Sequence, residues 1–340
     1  MQDTGFYPLQ VTAIVPETIE AASIVLEVPA GLRNAFRYLA GQFLTLQLAI
    51  SGKRVLRCYS LSSAPEEAGP LKITVKRVQS GLASNWLLDS LQPGATVMAR
   101  RPAGVFVLSS DPRPILMFAG GSGITPMLSL IKSALSQGRG RIRLLYASRA
   151  PDVEIFRDEL TVLARRWPDR LEIEHHYDAS VGLLSPGDFA RFIGNDIGAD
   201  CYVCGPAAFM AMAEHALSAA GVPRSRLNIE RFVSLTEPSV TLASGMVEPD
   251  DCLTIECNDR RYKVPYERGQ SILAAALACQ VPVQWSCGQG HCGACIAQVT
   301  NGQALMSNND VLSDAEVRAG MVLICQARPV GPRCGLRILG

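Results

Sequence analysis

The sequence predicts a multidomain protein with an antiparallel β-barrel over 5–110, a doubly wound parallel-sheet α/β domain over 111–233 and an α+β domain over 249–340. Three observations predict this order. Short alternating segments fill the first part, strand and helix patterns alternate through the second, and the third is compact and rich in cysteine. The stretch 234–248 is rich in Pro, Ser, Thr and Gly and predicts a linker.

The first segment alternates apolar and polar residues over 23–28, 43–48 and 71–78, with turn residues between these runs. Several short strands at this spacing predict a barrel. One helix is expected over 84–91. Ser84 is the expected N-cap, because a serine side chain can accept a hydrogen bond from a backbone N–H of the first turn.

In the second segment, an apolar run over 114–120 ends in a cluster of glycines, and an amphipathic helix over 125–138 follows, closed by Gly138. Strand and helix patterns then alternate. Strands are expected over 142–148, 171–178 and 201–206, and helices over 156–167, 186–193 and 208–221. Strands and helices that alternate with short links predict parallel strands with helices on both faces of the sheet.

The third segment begins with a hairpin-like pattern over 252–267 and continues with an alanine-rich helix over 271–280. A loop that carries three cysteines comes next, and we expect two short apolar strands after it. We find no internal repeat in the chain.

The composition excludes several classes of protein. Of the 340 residues 48% are hydrophobic and 19% charged, which is typical of globular domains, and the net charge of +1 offers no basic surface for nucleic acid. The N-terminal residues lack the pattern of a secretory signal, and the apolar runs are far shorter than the ~20 residues of a membrane span. We therefore expect no nucleic-acid partner, no membrane insertion and a cytoplasmic location.

The strongest motif is a set of four cysteines near the C-terminus: Cys287, Cys292, Cys295 and Cys325. Their C-x4-C-x2-C…C order is that of plant-type [2Fe–2S] clusters, and thiolates are the soft ligands that such clusters take. Three interspersed glycines are expected to let the loop curl with backbone N–H groups directed at sulfur: Gly288, Gly290 and Gly293.

A structural zinc site is the alternative for the four cysteines. Zinc sites usually consist of two C-x2-C pairs, whereas the fourth cysteine here is expected alone within a strand. Cys334 remains an alternative fourth ligand. Cys201 and Cys204 are expected on opposite sides of a strand, and Cys58 and Cys279 are expected to be core thiols.

A second motif is Arg57-Cys58-Tyr59-Ser60. On a strand, Arg57 and Tyr59 share a face, and a cation beside an aromatic ring suits a ligand with a phosphate at one end and a flat ring at the other. Taken alone, the four residues fit an exposed ion pair and a core tyrosine better. The interpretation changes because 75–77 and a helix N-terminus follow, where free N–H groups can bind a pyrophosphate.

The third motif is a glycine-rich turn between a strand and a helix. It consists of Gly120, Gly121, Ser122, Gly123, Ile124, Thr125 and Pro126. The glycines allow a pyrophosphate to approach the backbone, and Thr125 is the expected cap of the helix. A later strand ends in Cys204-Gly205-Pro206, and ligands of open α/β sheets gather at that edge.

These motifs, in this order, resemble the ferredoxin–NADP⁺ reductase superfamily. With the cysteine motif at the C-terminus, the whole chain resembles the reductase components of multicomponent oxygenases and demethylases. Phenylacetyl-CoA epoxidase reductase, phthalate dioxygenase reductase and hybrid-cluster-protein reductase share this domain order. The resemblance implies a flavin barrel, an NAD(P)H-binding α/β domain and a β-grasp-like ferredoxin domain.

The resemblance also implies the roles of residues in the flavin site. Tyr59 is expected on the face of the flavin, Ser60 at its N5 atom, and Arg57 with Ser84 at the phosphates. FAD is favoured over FMN. The remaining residues expected to contact the flavin are Leu61, Val75, Lys76, Gly81 and Phe232.

For the nicotinamide, the resemblance places Cys204 beside the C4 atom of the ring, so that Ser60 and Cys204 lie nearest to the reacting atoms. Gly205 and Pro206 complete this site. Ser148 and Arg149, at the end of the next strand, are expected near the ribose of the nucleotide. Arg149 could contact a 2′-phosphate, which leaves both NADH and NADPH open as the donor.

The activity that the resemblance implies is electron transfer. Hydride passes from NAD(P)H to FAD, and single electrons leave through the [2Fe–2S] cluster to a terminal oxygenase, a demethylase or another redox metalloprotein. Two alternatives remain. The chain could act alone as a flavin, quinone or ferric reductase, or it could be the electron-transfer subunit of a larger dehydrogenase complex.

Overall fold

The computed structural model describes residues 5–232, 252–285, 288–290, 293–309, 311–312 and 314–339. These residues form two compact units. One unit contains a barrel and a parallel sheet, and the other contains a third, mixed sheet. Each sheet has buried hydrophobic residues of its own, so each part of the chain builds its own core.

The N-terminal barrel has six antiparallel strands in the order β4-β3-β6-β1-β2-β5. A bridge between Leu61 and Ile73 joins the two outer strands and closes the sheet. One α-helix, α1, covers Leu82–Asp89. The strands are β1 (Tyr7–Thr18), β2 (Ala21–Glu27), β3 (Phe43–Ile50), β4 (Lys53–Ser60), β5 (Leu71–Lys76) and β6 (Thr96–Ala99).

The prediction for the start of α1 is wrong. Gly81 is the N-cap, and Ser84 lies in the first turn, where its Oγ accepts a hydrogen bond of 3.2 Å from the backbone N–H of Val78. An added Cβ at Gly81 would lie 2.6 Å from this Oγ, so only glycine fits the tight turn. A 3-10 helix over Ala30–Phe36 is a second helical element that the sequence did not indicate.

The middle part is a five-stranded sheet in the order β11-β10-β7-β8-β9, and all pairs of neighbours are parallel. The prediction of a doubly wound α/β domain is therefore confirmed. The strands are β7 (Ile115–Gly120), β8 (Ile142–Ser148), β9 (Leu171–Tyr177), β10 (Asp200–Cys204) and β11 (Leu227–Glu230). The helices are α2 (Ile124–Ser136), α3 (Arg157–Arg166), α4 (Asp178–Val181), α5 (Pro186–Ile193) and α6 (Ala207–Ala219).

The strand order of this sheet reverses between β7 and β10. From β7 the chain runs outward to β8 and β9, and it then returns to the other side of β7 to form β10 and β11. Ligands of open α/β sheets bind beyond the carboxyl ends of the strands at such a switch point. Gly120 ends β7 and Cys204 ends β10, so the two motifs of this domain meet there.

The glycine turn differs from the prediction in detail. Gly121–Gly123 form a single 3-10 turn, α2 begins at Ile124, and Gly123 is its N-cap. Thr125 does not cap the helix, because it lies inside the first turn and its Oγ1 donates to the carbonyl oxygen of Ser122 at 3.0 Å. No side chain separates the turn from β10, since an added Cβ at Gly123 would lie 2.1 Å from the carbonyl oxygen of Cys204.

Helix α2 also fastens the barrel to the parallel sheet. The buried hydroxyl of Ser129 donates to the carbonyl oxygen of Ser63 at 2.6 Å. Lys132 Nζ lies 2.9 Å from Glu67 Oε1 and pairs with Glu159 of α3 as well. These contacts hold the two sheets in one unit.

The C-terminal unit is a mixed sheet in the order β13-β12-β16-β14-β15, in which only β12 and β16 are parallel among the pairs described. It fits the α+β, β-grasp-like expectation. The helices are α7 (Ile272–Ala278) and α8 (Asp314–Arg318). The strands are β12 (Cys252–Cys257), β13 (Arg260–Pro265), β14 (Ile296–Met306), β15 (Met321–Leu323) and β16 (Ala327–Ile338).

The expected hairpin is confirmed, and the expected pair of short strands is wrong. Asn258 and Asp259 form the turn between β12 and β13 with φ of +50° and +58°, as a two-residue hairpin turn requires. Past the cysteine loop the described residues form three strands, and β14 and β16 have 11 and 12 residues. These strands were predicted too short because polar residues occupy their exposed positions and interrupt the apolar pattern.

Candidate functional site

A cleft of about 360 Å³ opens at the switch point of the parallel sheet. Residues from four places meet around it: the end of β5 in the barrel, the glycine turn, the segment that follows β10 and the segment that follows β11. The lining residues are Lys76, Gly120, Gly121, Ser122, Gly205, Pro206, Ala207, Met210, Arg231 and Phe232. Six of the residues predicted for cofactor or nucleotide binding line this one cleft: Lys76, Gly120, Gly121, Gly205, Pro206 and Phe232.

The glycines let two backbone segments touch at the floor of the cleft. A Cβ added to Gly123 would lie 2.1 Å from the carbonyl oxygen of Cys204, and one added to Gly120 would lie 2.7 Å from Pro206 Cδ. Gly121 has φ of +51°, which favours glycine, and its added Cβ would lie 3.4 Å from Lys76 Nζ. The backbone is therefore bare where an anionic ligand would approach the start of α2.

Cys204 is fully buried beneath this floor, in register with Ala119 of β7. Burial raises the pKa of its thiol well above the usual value, and the charge of Glu230 raises it further. The thiol is neutral near neutral pH, which supports a positioning role and not a nucleophilic one. Cys201 packs in the core on the opposite face of the sheet, which confirms the predicted orientation of the two cysteines.

The barrel presents Arg57, Tyr59 and Ser60 on β4. Ser60 is buried, Arg57 and Tyr59 are half-buried, and the Arg57 guanidinium donates to the carbonyl oxygen of Leu56 at 2.7 Å. Burial raises the pKa of the Tyr59 hydroxyl, and the nearby charge of Arg57 lowers it in part. The cation and the aromatic ring are therefore close together, as their shared face predicted.

Two of the predicted flavin contacts do not offer their side chains to a ligand. Leu61 and Val75 are buried in the barrel core, so only their backbone could reach a cofactor. Arg77 is held by Asp89 at the end of α1, with N–O distances of 2.6 and 3.0 Å. Lys76 is thus the member of the 75–77 segment that faces the cleft.

Ser148 and Arg149 lie at the end of β8, next to the glycine turn. Ser148 is buried, whereas the Arg149 side chain is 61% exposed. Arg149 pairs closely with Glu20, which comes from the barrel. No motif in the sequence indicated this partner.

Part of the cysteine loop can be described. Gly288, Gly290 and Gly293 have φ of +71°, +84° and +68°, so all three adopt the left-handed conformation that favours glycine. The Gln326 side chain donates to the carbonyl oxygen of Gly288 at 2.9 Å, and that of Asn308 donates to Gln289 at 2.8 Å. The described part of the loop is therefore fastened to the body of its unit and has the backbone conformation that the three glycines were expected to allow.

Two of the four predicted cluster ligands, Cys295 and Cys325, are buried on neighbouring segments, and the N–H of Ile324 donates to the carbonyl oxygen of Cys295 at 3.0 Å. Cys287 and Cys292 lie outside the described residues. Cys325 occupies the turn between β15 and β16, and not a strand as predicted. In a turn, the direction of the Cys325 side chain is not set by the alternating faces of a strand. The cysteine sulfurs of this region are donors that fit a [2Fe–2S] cluster.

The burial of the remaining cysteines differs in part from the prediction that Cys58 and Cys279 are core thiols. Cys279 is exposed and not a core thiol, because it follows the last residue of α7 and turns outward. Cys58 is half-buried, with its Sγ 3.3 Å from Thr45 Oγ1. Cys334 is buried in β16, opposite Leu253.

Three family models match the chain. They are the oxidoreductase FAD-binding domain over 9–108, the oxidoreductase NAD-binding domain over 117–215 and the 2Fe-2S iron-sulfur cluster binding domain over 255–330. The ferredoxin reductase component of 3-ketosteroid-9-alpha-monooxygenase from Rhodococcus rhodochrous is 39% identical over 329 residues, which are 95% of this chain and 94% of that protein. The chain belongs to the iron–sulfur flavoprotein reductases of oxygenases.

Two further relatives of this reductase agree. One subunit of 1,2-phenylacetyl-CoA epoxidase from Escherichia coli strain K12 is 30% identical over 347 residues, which are 96% of each chain. The structure of phthalate dioxygenase reductase, a modular protein for electron transfer from pyridine nucleotides to [2Fe–2S], superposes with a TM-score of 0.61 at 27% identity over 99% of both chains. The expected family and three-part architecture are confirmed.

The reductase is thus an oxidoreductase that takes electrons from NADH or NADPH, passes them through FAD and exports them singly through a [2Fe–2S] cluster to an oxygenase partner. The matching domains bear out the predicted FAD and the predicted [2Fe–2S] cluster. No helix in the described part of the chain is long and apolar enough to cross a membrane.

Sequence reasoning missed several residues of the site. Ala207, Met210 and Arg231 line the cleft, and Glu20 pairs with Arg149. The first three are next to or near predicted residues, so a wider window around each motif could have found them. Glu20 lies in a turn of the barrel with no motif around it, and only the fold brings it to the site.

Proposed function

We propose that this reductase supplies electrons to the terminal component of a 3-ketosteroid-9-alpha-monooxygenase. The observation that carries the proposal is the match at 39% identity over 95% of the chain to a reductase of that name. The match spans all three parts of the chain and is not confined to the cofactor motifs. Surfaces outside the motifs are where a reductase recognises its partner.

For the flavin, we propose that Tyr59 packs against the ring, Ser60 hydrogen-bonds its N5 edge, and Arg57 pairs with a phosphate of FAD. Burial of Ser60 and the closeness of Arg57 to Tyr59 support these roles. Lys76 faces the cleft and adds a second cation for the phosphates. The start of α1 contributes the backbone N–H of Ser84, whose hydroxyl accepts from the N–H of Val78. Gly81 shapes the turn before α1, because its own N–H donates to the carbonyl oxygen of Val78 at 2.9 Å.

For the nucleotide, we propose that the glycine turn binds the pyrophosphate through its backbone. Thr125 and Pro126 are buried, so they shape the first turn of α2 and do not contact the ligand with their side chains. Cys204 beneath the cleft supports the nicotinamide, with Gly205, Pro206 and Phe232 around it. Ser148 and Arg149 are proposed to lie near the ribose.

For electron export, we propose Cys287, Cys292, Cys295 and Cys325 as the ligands of the [2Fe–2S] cluster. The burial of Cys295 and Cys325 and the positive φ angles of the three loop glycines support this set. We also propose a cytoplasmic location, because a reducing compartment preserves thiolate ligands and buried thiols.

The test is a reconstitution with purified terminal component of a 3-ketosteroid-9-alpha-monooxygenase, oxygen, NADH and a 3-ketosteroid. We expect 9α-hydroxylated steroid to form in proportion to the NADH consumed, and the rate to saturate with the reductase. The control replaces the terminal component with the oxygenase component of 1,2-phenylacetyl-CoA epoxidase and its own substrate. NADH-driven reduction of cytochrome c is measured in parallel.

The outcomes separate the parts of the proposal. If cytochrome c is reduced rapidly, no steroid product forms and the epoxidase control does form its product, then the partner of this reductase is an epoxidase component and not the steroid monooxygenase. Negligible cytochrome c reduction by the isolated reductase would indicate an electron-transfer subunit of a larger complex and contradict the proposal.

A further inference from the structure

Glu20 lies in the turn between β1 and β2 of the barrel, and its backbone is held on both sides. Its N–H donates to Thr18 Oγ1 at 3.1 Å, and its carbonyl oxygen accepts from the N–H of Arg77 at 2.7 Å. These two hydrogen bonds fix the position of the Glu20 backbone, and its side chain is 29% exposed. It pairs closely with Arg149 across the two sheets of this unit.

Arg149 follows the last residue of β8, the second strand of the parallel sheet along the chain. In dinucleotide-binding sheets, the end of this strand meets the ribose of the adenosine. An acid there accepts a hydrogen bond from the 2′-hydroxyl, whereas an arginine accommodates a 2′-phosphate. Here β8 ends in Ser148, and the only acid that the described residues pair with Arg149 comes from the barrel.

Lys76 is the third charged group of this corner. It is paired in register through Ala21 with the strand that follows Glu20, and it faces the cleft beside Gly121. Burial lowers the pKa of the Lys76 ammonium, Arg149 lowers it further, and Glu20 raises it. Glu20 is thus within electrostatic reach of both cations and is the acid that offsets them.

We propose that Glu20 is a specificity-determining residue that makes this reductase prefer NADH. Its carboxylate occupies the Arg149 guanidinium that a 2′-phosphate would need, and it repels that phosphate. A phosphomonoester carries about −1.5 to −2 charges near pH 7. The 2′-hydroxyl of NADH is neutral, so the Glu20 carboxylate does not weaken the binding of NADH by charge repulsion. The proposal rests on the nucleotide-binding role of the β8 end stated above.

The test compares wild type, Glu20→Gln, Arg149→Gln and the double variant. We expect Glu20→Gln to raise the ratio of kcat/KM for NADPH to that for NADH by at least about tenfold, since hydrogen bonds to charged groups are the stronger class. The increase should be smaller in the Arg149→Gln background, because there the substitution relieves only the repulsion of the phosphate and frees no guanidinium. Dissociation constants of adenosine 2′,5′-bisphosphate and 5′-AMP provide a readout that is independent of turnover, and only the first should tighten.

The matched control is Glu27→Gln. Glu27 belongs to the same barrel and also pairs with an arginine, Arg33, at 3.7 Å, but it lies at the far end of β2 from Glu20. This variant should leave the nucleotide ratio unchanged. An unchanged ratio in folded, flavin-loaded Glu20→Gln protein, or a wild type that already prefers NADPH, would overturn the proposal. If the wild-type protein did not reduce ferricyanide with NADH at all, the result would instead contradict the reductase function itself.

Discussion

Cys204 shows how burial fixes the chemical state of one side chain at the switch point. It is fully buried, it ends β10, and its carbonyl oxygen is where an added Cβ of Gly123 would collide. Because burial and Glu230 raise the pKa of its thiol, Cys204 is a small neutral group at the floor of the cleft. It can support a ring by its volume, whereas a thiolate would add a charge beneath the bound nucleotide.

Alkylation tests this state of Cys204, with Cys279 as a control within the same chain. Cys279 is exposed, and Cys204 is fully buried with a raised pKa. We expect iodoacetamide at about pH 8 to modify Cys279 in the native protein and to leave Cys204 unmodified, because the thiolate is the reacting species. Peptide mapping by mass spectrometry gives the extent at each site. Rapid native labelling of Cys204 would contradict the assignment, and labelling of both after denaturation confirms that each peptide is detected.

At the scale of elements, the glycine turn owes its shape to β10 rather than to its own sequence. Gly123, the N-cap of α2, has an ordinary φ of −61°, so the need for glycine at this position does not come from backbone conformation. It comes from close approach, since its added Cβ would lie 2.1 Å from one backbone atom and 2.4 Å from another of Cys204. Neither backbone can yield without moving β10 or α2.

We therefore predict that Gly123→Ala destabilises this unit and weakens nucleotide binding. Overpacking of this kind costs about 1–3 kcal/mol, and the melting temperature falls by about 2–4 °C per kcal/mol in proteins of this size. The measurements are the Tm from flavin fluorescence and the KM for NADH. Gly187→Ala is the matched control, because Gly187 lies in the first turn of α5 and its added Cβ would meet only Ser185 Oγ at 3.5 Å. A Gly123→Ala protein as stable as the control would contradict the close approach.

Much of this element-scale structure could be predicted from the sequence, and the failures have two different causes. The bounds of β8 and α5 agree with the predicted 142–148 and 186–193, because their apolar periodicity and turn residues are local. The caps at Ser84 and Thr125 were wrong because each hydroxyl bonds to a backbone group a few residues earlier in the chain, at Val78 and Ser122, inside a helix that begins sooner than predicted. The strand at Cys325 was wrong because the chain turns there, between β15 and β16. Glu20 could not be predicted as part of the site, because 129 residues separate it from Arg149.

At the scale of the whole molecule, electrons arrive in one unit and leave from the other. The cleft, the flavin motif and the glycine turn lie in the first unit, while Cys295 and Cys325 are part of the core of the second. Each unit has buried residues of its own, so damage to the cluster need not unfold the flavin barrel. The domain boundaries near 110, 233 and 248 remain predictions.

This division predicts that Cys325→Ala separates the two half-reactions. We expect NADH-driven reduction of ferricyanide, which accepts electrons from a reduced flavin, to stay within about twofold of wild type, because the cleft and the flavin site are intact. Reduction of cytochrome c should fall by about tenfold or more. Bound iron, labile sulfide and the low-temperature EPR signal of the reduced protein should be lost as well, since a thiolate ligand is missing.

Cys334→Ala is the matched control for that change, because Cys334 is also a buried cysteine of the same core. It tests the alternative fourth ligand at the same time. We expect it to retain the cluster and cytochrome c reduction, with a modest loss of stability of about 1 kcal/mol from the smaller side chain. If Cys334→Ala lost the iron while Cys325→Ala kept it, the ligand assignment would be reversed. If neither substitution slowed cytochrome c reduction, electrons would leave directly from the flavin, and the second unit would not be the exit.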